Sequence, residues 1–178
     1  MLRLAPGKCF ATGLALICSQ QVFAMETVYQ SPADFLGEHL PGCKQEALWL
    51  DSDLKAEIEH LVERPWRGLR VRYCRQGHKT AWILDEIGKT EPITSGIVVS
   101  EGRVERVRVL IFRESRGSEV NRSAFTRQYE NASLAEDYSL DRSIDGITGA
   151  TLSVWALNRQ VKLALLLDRA AQRNSDDD

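Results

Sequence analysis

Between residues 31 and 170 the spacing of apolar positions passes from helical to alternating and back to helical. Ser31 is placed to cap a helix with Pro32 in its first turn, leading into residues 33–39, and Leu40-Pro41-Gly42 ends it. A second helix starts at Asp51 or Ser52 and runs to Arg64, where Pro65 stops it; Leu54, Ile58, Leu61 and Val62 share one face. From Leu69 the period becomes two. Leu69, Val71 and Tyr73 alternate with Arg70, Arg72 and Cys74, and Gln76-Gly77 supplies a turn. Residues 79–84 and 93–99 read as the next strands, and Glu101-Gly102 turns the chain into another, residues 104–112. There Val107, Val109 and Ile111 are predicted on one face, with Arg106 and Arg108 on the other. Residues 123–129 form a short helix, and a polar stretch over 131–143 leads on. From Leu152 to about Ala170 the helical period returns: Val154, Leu157, Val161, Ala164 and Leu165 point inward, Arg159, Lys162 and Arg169 outward.

Consecutive strands closed by a long helix make an α+β fold, an antiparallel sheet packed with helices. The first two helices read as a short N-terminal helical cap, residues 25–66, and not as a separate domain. Of the tryptophans, Trp49, Trp66 and Trp82 are assigned to the core. His39, His60 and His78 share no metal-binding or general-base spacing and are placed at the surface. No internal repeat is present. Residues 172–178, ending in Asp176-Asp177-Asp178, are predicted to be a disordered acidic tail.

Composition changes this picture at the N-terminus. Arg3 and Lys8 precede an apolar run from Cys9 to Cys18, and Val22-Phe23-Ala24 follows: a basic region, a core too short to span a bilayer, and a small-residue cleavage site. Residues 1–24 are therefore predicted to be a signal peptide cleaved after Ala24, and the mature protein is expected in the periplasm. A lipoprotein alternative at Cys18 has Ile17 where a smaller residue is usual. Cleavage removes two bases and no acid, so 23 bases against 25 acids become 21 against 25, and the net charge moves from −2 to −4. That balance gives no footprint for nucleic acid; Arg70, Arg72 and Arg75 read as a solvated strand face. Cys43 and Cys74 survive cleavage and can form one disulfide in an oxidising compartment, while their spacing suits neither zinc nor c-type haem.

The chemistry concentrates in Asp145-Gly146-Ile147-Thr148-Gly149-Ala150-Thr151-Leu152-Ser153, directly before the last helix. Thr151 offers a hydroxyl. Gly149 and Ala150 leave room beside it, and the coming helix N-terminus favours a phosphate through its unpaired N–H groups and dipole. The same residues also fit an ordinary loop ending in a threonine N-cap. Asp145 would repel a phosphate, so it caps the turn or assists attachment by holding a metal ion or a modifying enzyme.

This segment resembles the flavinylation motif of the FMN-binding domain family, Asp-x-x-(Ser/Thr)-Gly-Ala-Thr. That family includes the C subunit of the sodium-translocating NADH:quinone reductase and the G subunit of the Rnf complex. The resemblance covers about residues 69–167 and implies an FMN-binding domain at 67–171, with FMN bound covalently to Thr151 through a phosphoester. In the family a strand hairpin is followed by a glutamate- and glycine-bearing loop and a short phenylalanine helix. Here Glu114-Ser115-Arg116-Gly117, then Phe125 and Tyr129, take those places. The loop departs from the Glu-Thr-Pro-Gly of the respiratory subunits, and the chain resembles a soluble exported relative.

The implied cofactor-binding set is Thr151, Ala150, Gly149, Thr148, Asp145, Ser153, Glu114 and Arg116, with no metal site and no separate catalytic residues. Arg116 can meet the phosphate or the reduced ring, or it can pair with Glu114 or Glu119. Trp155 can stack on the ring or pack in the core. The implied partners are a magnesium-dependent FMN transferase for maturation and a membrane redox partner. The resulting expectation is a periplasmic electron-transfer flavoprotein, rather than a self-sufficient enzyme, relaying electrons between a membrane donor and an extracytoplasmic acceptor. The alternatives are a cofactor-free exported binding module and a flavin-dependent reductase of small acceptors such as ferric chelates.

Overall fold

The alternation that begins at Leu69 builds the centre of a six-stranded antiparallel sheet, seen in a computed structural model that describes residues 26–176. Its elements in chain order are β1 (Thr27–Val28), α1 (Pro32–His39), β2 (Lys44–Trp49), α2 (Ser52–Val62), β3 (Arg70–Gln76) and β4 (Lys79–Ile87). There follow β5 (Pro92–Ser100), β6 (Arg103–Phe112), α3 (Ser123–Thr126) and α4 (Thr151–Asp176). The fold is α+β. The predicted signal peptide lies outside the described residues.

The two early helices start where their caps place them. Ser31 Oγ accepts from the Asp34 N–H at 3.0 Å, and an Asp51 carboxylate oxygen accepts from the Leu54 N–H at 2.8 Å. The segment around them is more than a helical cap. Its residues supply both edges of the sheet, which is ordered β1-β6-β5-β4-β3-β2. β2 pairs with β3 from Lys44↔Arg75 to Trp49↔Arg70. Its sequence Lys-Gln-Glu-Ala-Leu-Trp has no apolar alternation, so pairing to β3, and not its own pattern, makes it a strand. Beside it, Cys43 and Cys74 are joined in a disulfide with Cα atoms 5.6 Å apart.

One face of the sheet carries α4 and α2 over the main core, and the other carries α1, whose Phe35 packs on Cys74, Ala81, Val98 and Leu110. A bulge in β6 decides which apolar side chains go where. Val109 pairs with Ser95 and Ile111 with Thr94, leaving Leu110 as the extra residue. Leu110 and Ile111 therefore both turn toward α1, while Val107, Val109 and Phe112 join the α4 side. The strict alternation that put Ile111 with Val107 and Val109 fails at this point.

The tryptophans divide. Trp82 is fully buried, stacks on Tyr73 with ring centroids 4.6 Å apart, and donates its indole N–H to Thr80 Oγ1 at 2.8 Å. Trp66 is half-buried. Trp49 is 64 % exposed on the edge strand, with the Arg70 guanidinium 5.3 Å from its ring centre, so its assignment to the core is corrected. His60 is exposed, whereas His39 is half-buried against Phe35, their ring centroids 4.7 Å apart.

α4 crosses the sheet over β4 and β5 and is covered by α2. From Leu163 to Leu167 every side chain is buried. Arg159, predicted to face outward, is instead half-buried with its guanidinium 3.8 Å from the buried Glu86. The helix also continues beyond Ala170, through residues read as tail, to Asp176. Gln172 explains part of this, since its amide bonds to Asp168 and to the His78 carbonyl while Arg75 donates to its oxygen.

Candidate functional site

The first turn of α4 organises the site. The Ala150 N–H donates to the Ile147 carbonyl at 2.9 Å, and the Val154 N–H closes the first helical bond on the Ala150 carbonyl at 3.0 Å. Ala150 is therefore the N-cap and Thr151 the first helical residue. The threonine-cap reading is corrected by one position: the cap is a residue with no side-chain acceptor. Among the described residues, the N–H groups of Thr151, Leu152 and Ser153 make no hydrogen bond. A helix of 26 residues thus presents uncapped donors and its positive dipole end beside an exposed hydroxyl.

Gly149 reaches this turn at φ +82°, and a Cβ added there would meet nothing within 4 Å. The backbone conformation requires glycine, while the space beside it stays open to a ligand. Gly149→Ala should cost about 1–2 kcal/mol from its left-handed conformation alone, read as a lowered melting temperature.

Two loops wall one side of Thr151. Gly117, at φ +88°, lies so close to α4 that an added Cβ would stand 2.5 Å from Ser153 Oγ and 3.4 Å from the Ala150 Cβ. Ser153 is buried beneath it. Glu114 reaches the other way. Its Oε1 accepts from the backbone N–H groups of Lys89, of Thr90 at 2.6 Å and of Glu91 at 2.9 Å, and its Oε2 accepts from the Thr90 hydroxyl at 3.3 Å. Burial raises the Glu114 pKa, but these donors outweigh it and hold the carboxyl below its ordinary value. Glu114 is thus a clamp that fixes the loop at residues 88–91, and its oxygens are already engaged.

The result is a cleft of about 390 Å³ lined by Lys89, Arg116, Glu114, Gly149, Ala150 and Thr151. Among the described residues neither Lys89 nor Arg116 forms an ion pair, so the pairing of Arg116 with Glu114 or Glu119 is not made. A second cleft, of about 410 Å³, lies on the other side of Thr151 and is lined by Ile144, Ile147, Thr148, Trp155 and Asn158. Tyr129, fully buried, donates its hydroxyl to Asn158 Oδ1 at 2.6 Å and fixes that wall. Thr151 lines both clefts, as the ridge between a cationic side and an aromatic side.

The structure thus gathers Thr151, Ala150, Gly149, Ser153, Glu114 and Arg116 around one cleft and puts Thr148 in the next. Asp145 stands apart: it lines neither cleft, is exposed, and is held by its backbone N–H to the Gln128 side chain at 2.8 Å. Trp155 is 55 % exposed, which removes the core-packing alternative. The sequence carried a signal for this, because Arg159 and Lys162 follow Trp155 at helical spacing on the face predicted to point outward. Lys89 had no such signal; only the Glu114 clamp brings it to the site.

A further cleft, of about 660 Å³, lies near the other end of α4 and is lined by His78, Leu134, Asp168 and Arg169 among others. Asp168 there is fully buried, burial pushes its carboxyl pKa up, and its Oδ1 accepts from the Thr80 hydroxyl at 2.7 Å. Among the described residues no group of His, Cys, Asp and Glu is arranged to hold a metal ion, and no helix is long and apolar enough to cross a membrane.

FMN combines a phosphate, a polar chain and a planar ring. The uncapped helix start, the open space at Gly149, two unpaired cationic side chains and an exposed indole fit those parts in one place. No curated protein and no solved structure shows significant similarity to the chain. Residues 88–166 match the family model described as FMN-binding domain, a stretch that begins at the clamped loop and contains the lining residues of both clefts. On that match residues 88–166 are an FMN-binding domain, and the chain is an FMN-binding flavoprotein.

Proposed function

We propose that this protein is a periplasmic electron carrier whose FMN is held by a phosphoester to Thr151. The observation that carries this reading is the exposed Thr151 hydroxyl on the first residue of an uncapped helix, between a cationic and an aromatic cleft. In the attachment step Thr151 Oγ1 forms a bond to the FMN phosphorus of FAD, catalysed by a separate magnesium-dependent transferase. The pyrophosphate bond breaks, AMP leaves, and the hydroxyl proton passes to solvent. The chain keeps FMN less one water.

Once bound, the flavin supplies the redox chemistry. The protein's own groups hold and tune it. The N–H groups of Thr151, Leu152 and Ser153 face the phosphodiester charge, and Lys89 and Arg116 add positive charge on one side of Thr151. Glu114 holds one cleft wall in place through the residue 88–91 backbone. Export rests on the pattern of residues 1–24, and a covalent bond would retain the cofactor where free FMN is scarce. Electrons would come from a membrane donor and pass to an extracytoplasmic acceptor.

The test is the intact mass of the full-length protein exported from a bacterial host together with an FMN transferase. We expect a gain of one FMN less one water and a yellow colour that survives denaturation. An unmodified mass, with a transferase shown to act on a positive control, would remove the covalent reading. Oxidation of the reduced protein by a ferric chelate then separates the roles: slow and non-saturating for a carrier, fast and saturating for a reductase.

A further inference from the structure

Trp155 is an exposed indole, 55 % accessible, on a helix whose other large apolar residues are buried except for the partly exposed Leu152 in its first turn. Its neighbours Val154, Ala156 and Leu157 are buried, and Trp155 has no place in the core. It stands four residues after Thr151 on the same helix, about 6 Å along the axis, and lines the same 410 Å³ cleft as Thr151, Ile144 and Ile147. The 390 Å³ cleft across the ridge carries Lys89 and Arg116 and no aromatic side chain.

FMN divides the same way. Its phosphate and ribityl chain are polar and anionic; its isoalloxazine is planar and, on its dimethylbenzene edge, apolar. The ribityl chain is long enough to span one helical turn. A ring placed among Lys89 and Arg116 would leave the indole in water, whereas a ring over Trp155 covers both apolar surfaces and leaves the cations to the phosphodiester.

Resting on the covalent reading above, we infer that Trp155 is the stacking platform for the isoalloxazine. The ring then lies on the Ile144–Ile147 side of Thr151, and the phosphodiester faces Lys89 and Arg116. Trp155 acts as a positioning residue. It also has a second effect, because an indole in contact with an excited flavin donates an electron to it and quenches its emission.

The experiment compares transferase-loaded wild type, Trp155→Phe and Trp155→Ala by intact mass, flavin fluorescence lifetime and visible circular dichroism. Because Trp155 is exposed, both variants should fold and take the full mass gain. Flavin emission should rise severalfold in both, since neither replacement donates an electron as indole does. The visible dichroism should persist in Trp155→Phe, which still stacks, and collapse in Trp155→Ala. Full mass gain with emission unchanged from wild type would overturn the ring placement alone and leave covalent attachment standing. A wild type with no mass gain would overturn both together.

Discussion

Thr151→Val, produced with an active transferase, should carry no flavin at all, while Thr151→Ser should remain modified. Valine matches threonine in shape and removes only the nucleophile; serine keeps the hydroxyl and loses a methyl group. Thr151 is exposed at the first helical position and caps nothing, because the cap is Ala150. Neither change should move stability by more than about 0.5 kcal/mol. Intact mass reads the modification and a thermal melt reads the fold. A Thr151→Val protein with the flavin mass still attached would place the ester on another hydroxyl, with Thr148, exposed in the second cleft, the first to examine.

The second large effect is expected at Glu114. Three backbone N–H groups converge on its Oε1, and Glu114→Ala leaves all three without a partner. Lost hydrogen bonds to a buried carboxylate put the cost at about 2–4 kcal/mol, read as a lower midpoint in urea. Glu114→Gln keeps an oxygen in place but gives up the charge that strengthens those bonds, so its loss should be smaller. The loop at residues 88–91 would loosen in Glu114→Ala and shift Lys89, and FMN incorporation should fall with it.

The pH dependence of that contribution has a defined sign. The folded state holds the Glu114 pKa below its ordinary value, so the folded protein binds this proton less readily than the unfolded chain. The stabilisation is complete above the unfolded pKa of about 4.3 and is lost as pH falls through the lower folded value. Wild type should therefore lose stability on acidification below about pH 4 more steeply than Glu114→Gln, which has no carboxyl to titrate. Parallel curves for the two proteins would show that Glu114 is not the group responsible.

Features governed by neighbouring residues could be read from the chain directly. Ser31 caps the helix it was assigned, and Asp51, one of the two starts read for the second helix, caps that one, because a cap bonds to an N–H three residues away. The strands from Leu69 onward and the turn at Glu101-Gly102 follow from period-two spacing and a short local turn. The motif before α4 was legible for the same reason: residues 145–153 fix Thr151 at the helix start whatever else the chain does.

The long-range features were settled only in the folded molecule. β2 is a strand because β3 offers it a partner, and its helix-compatible sequence holds no hint of that pairing. The bulge at Leu110 sends Ile111 to the α1 face, since one extra residue reverses the side-chain alternation beyond it. Glu114 reads from sequence as a cofactor residue, but its carboxylate is spent on a loop more than twenty residues earlier in the chain. Sequence alone therefore determined the first two helices, the central strands and the place of Thr151 at the start of α4, each set by contacts within a few residues. Tertiary structure decided the sheet edges, the meeting of Lys89 with Arg116 and the Cys43–Cys74 bridge, because each depends on packing between segments that only folding brings together.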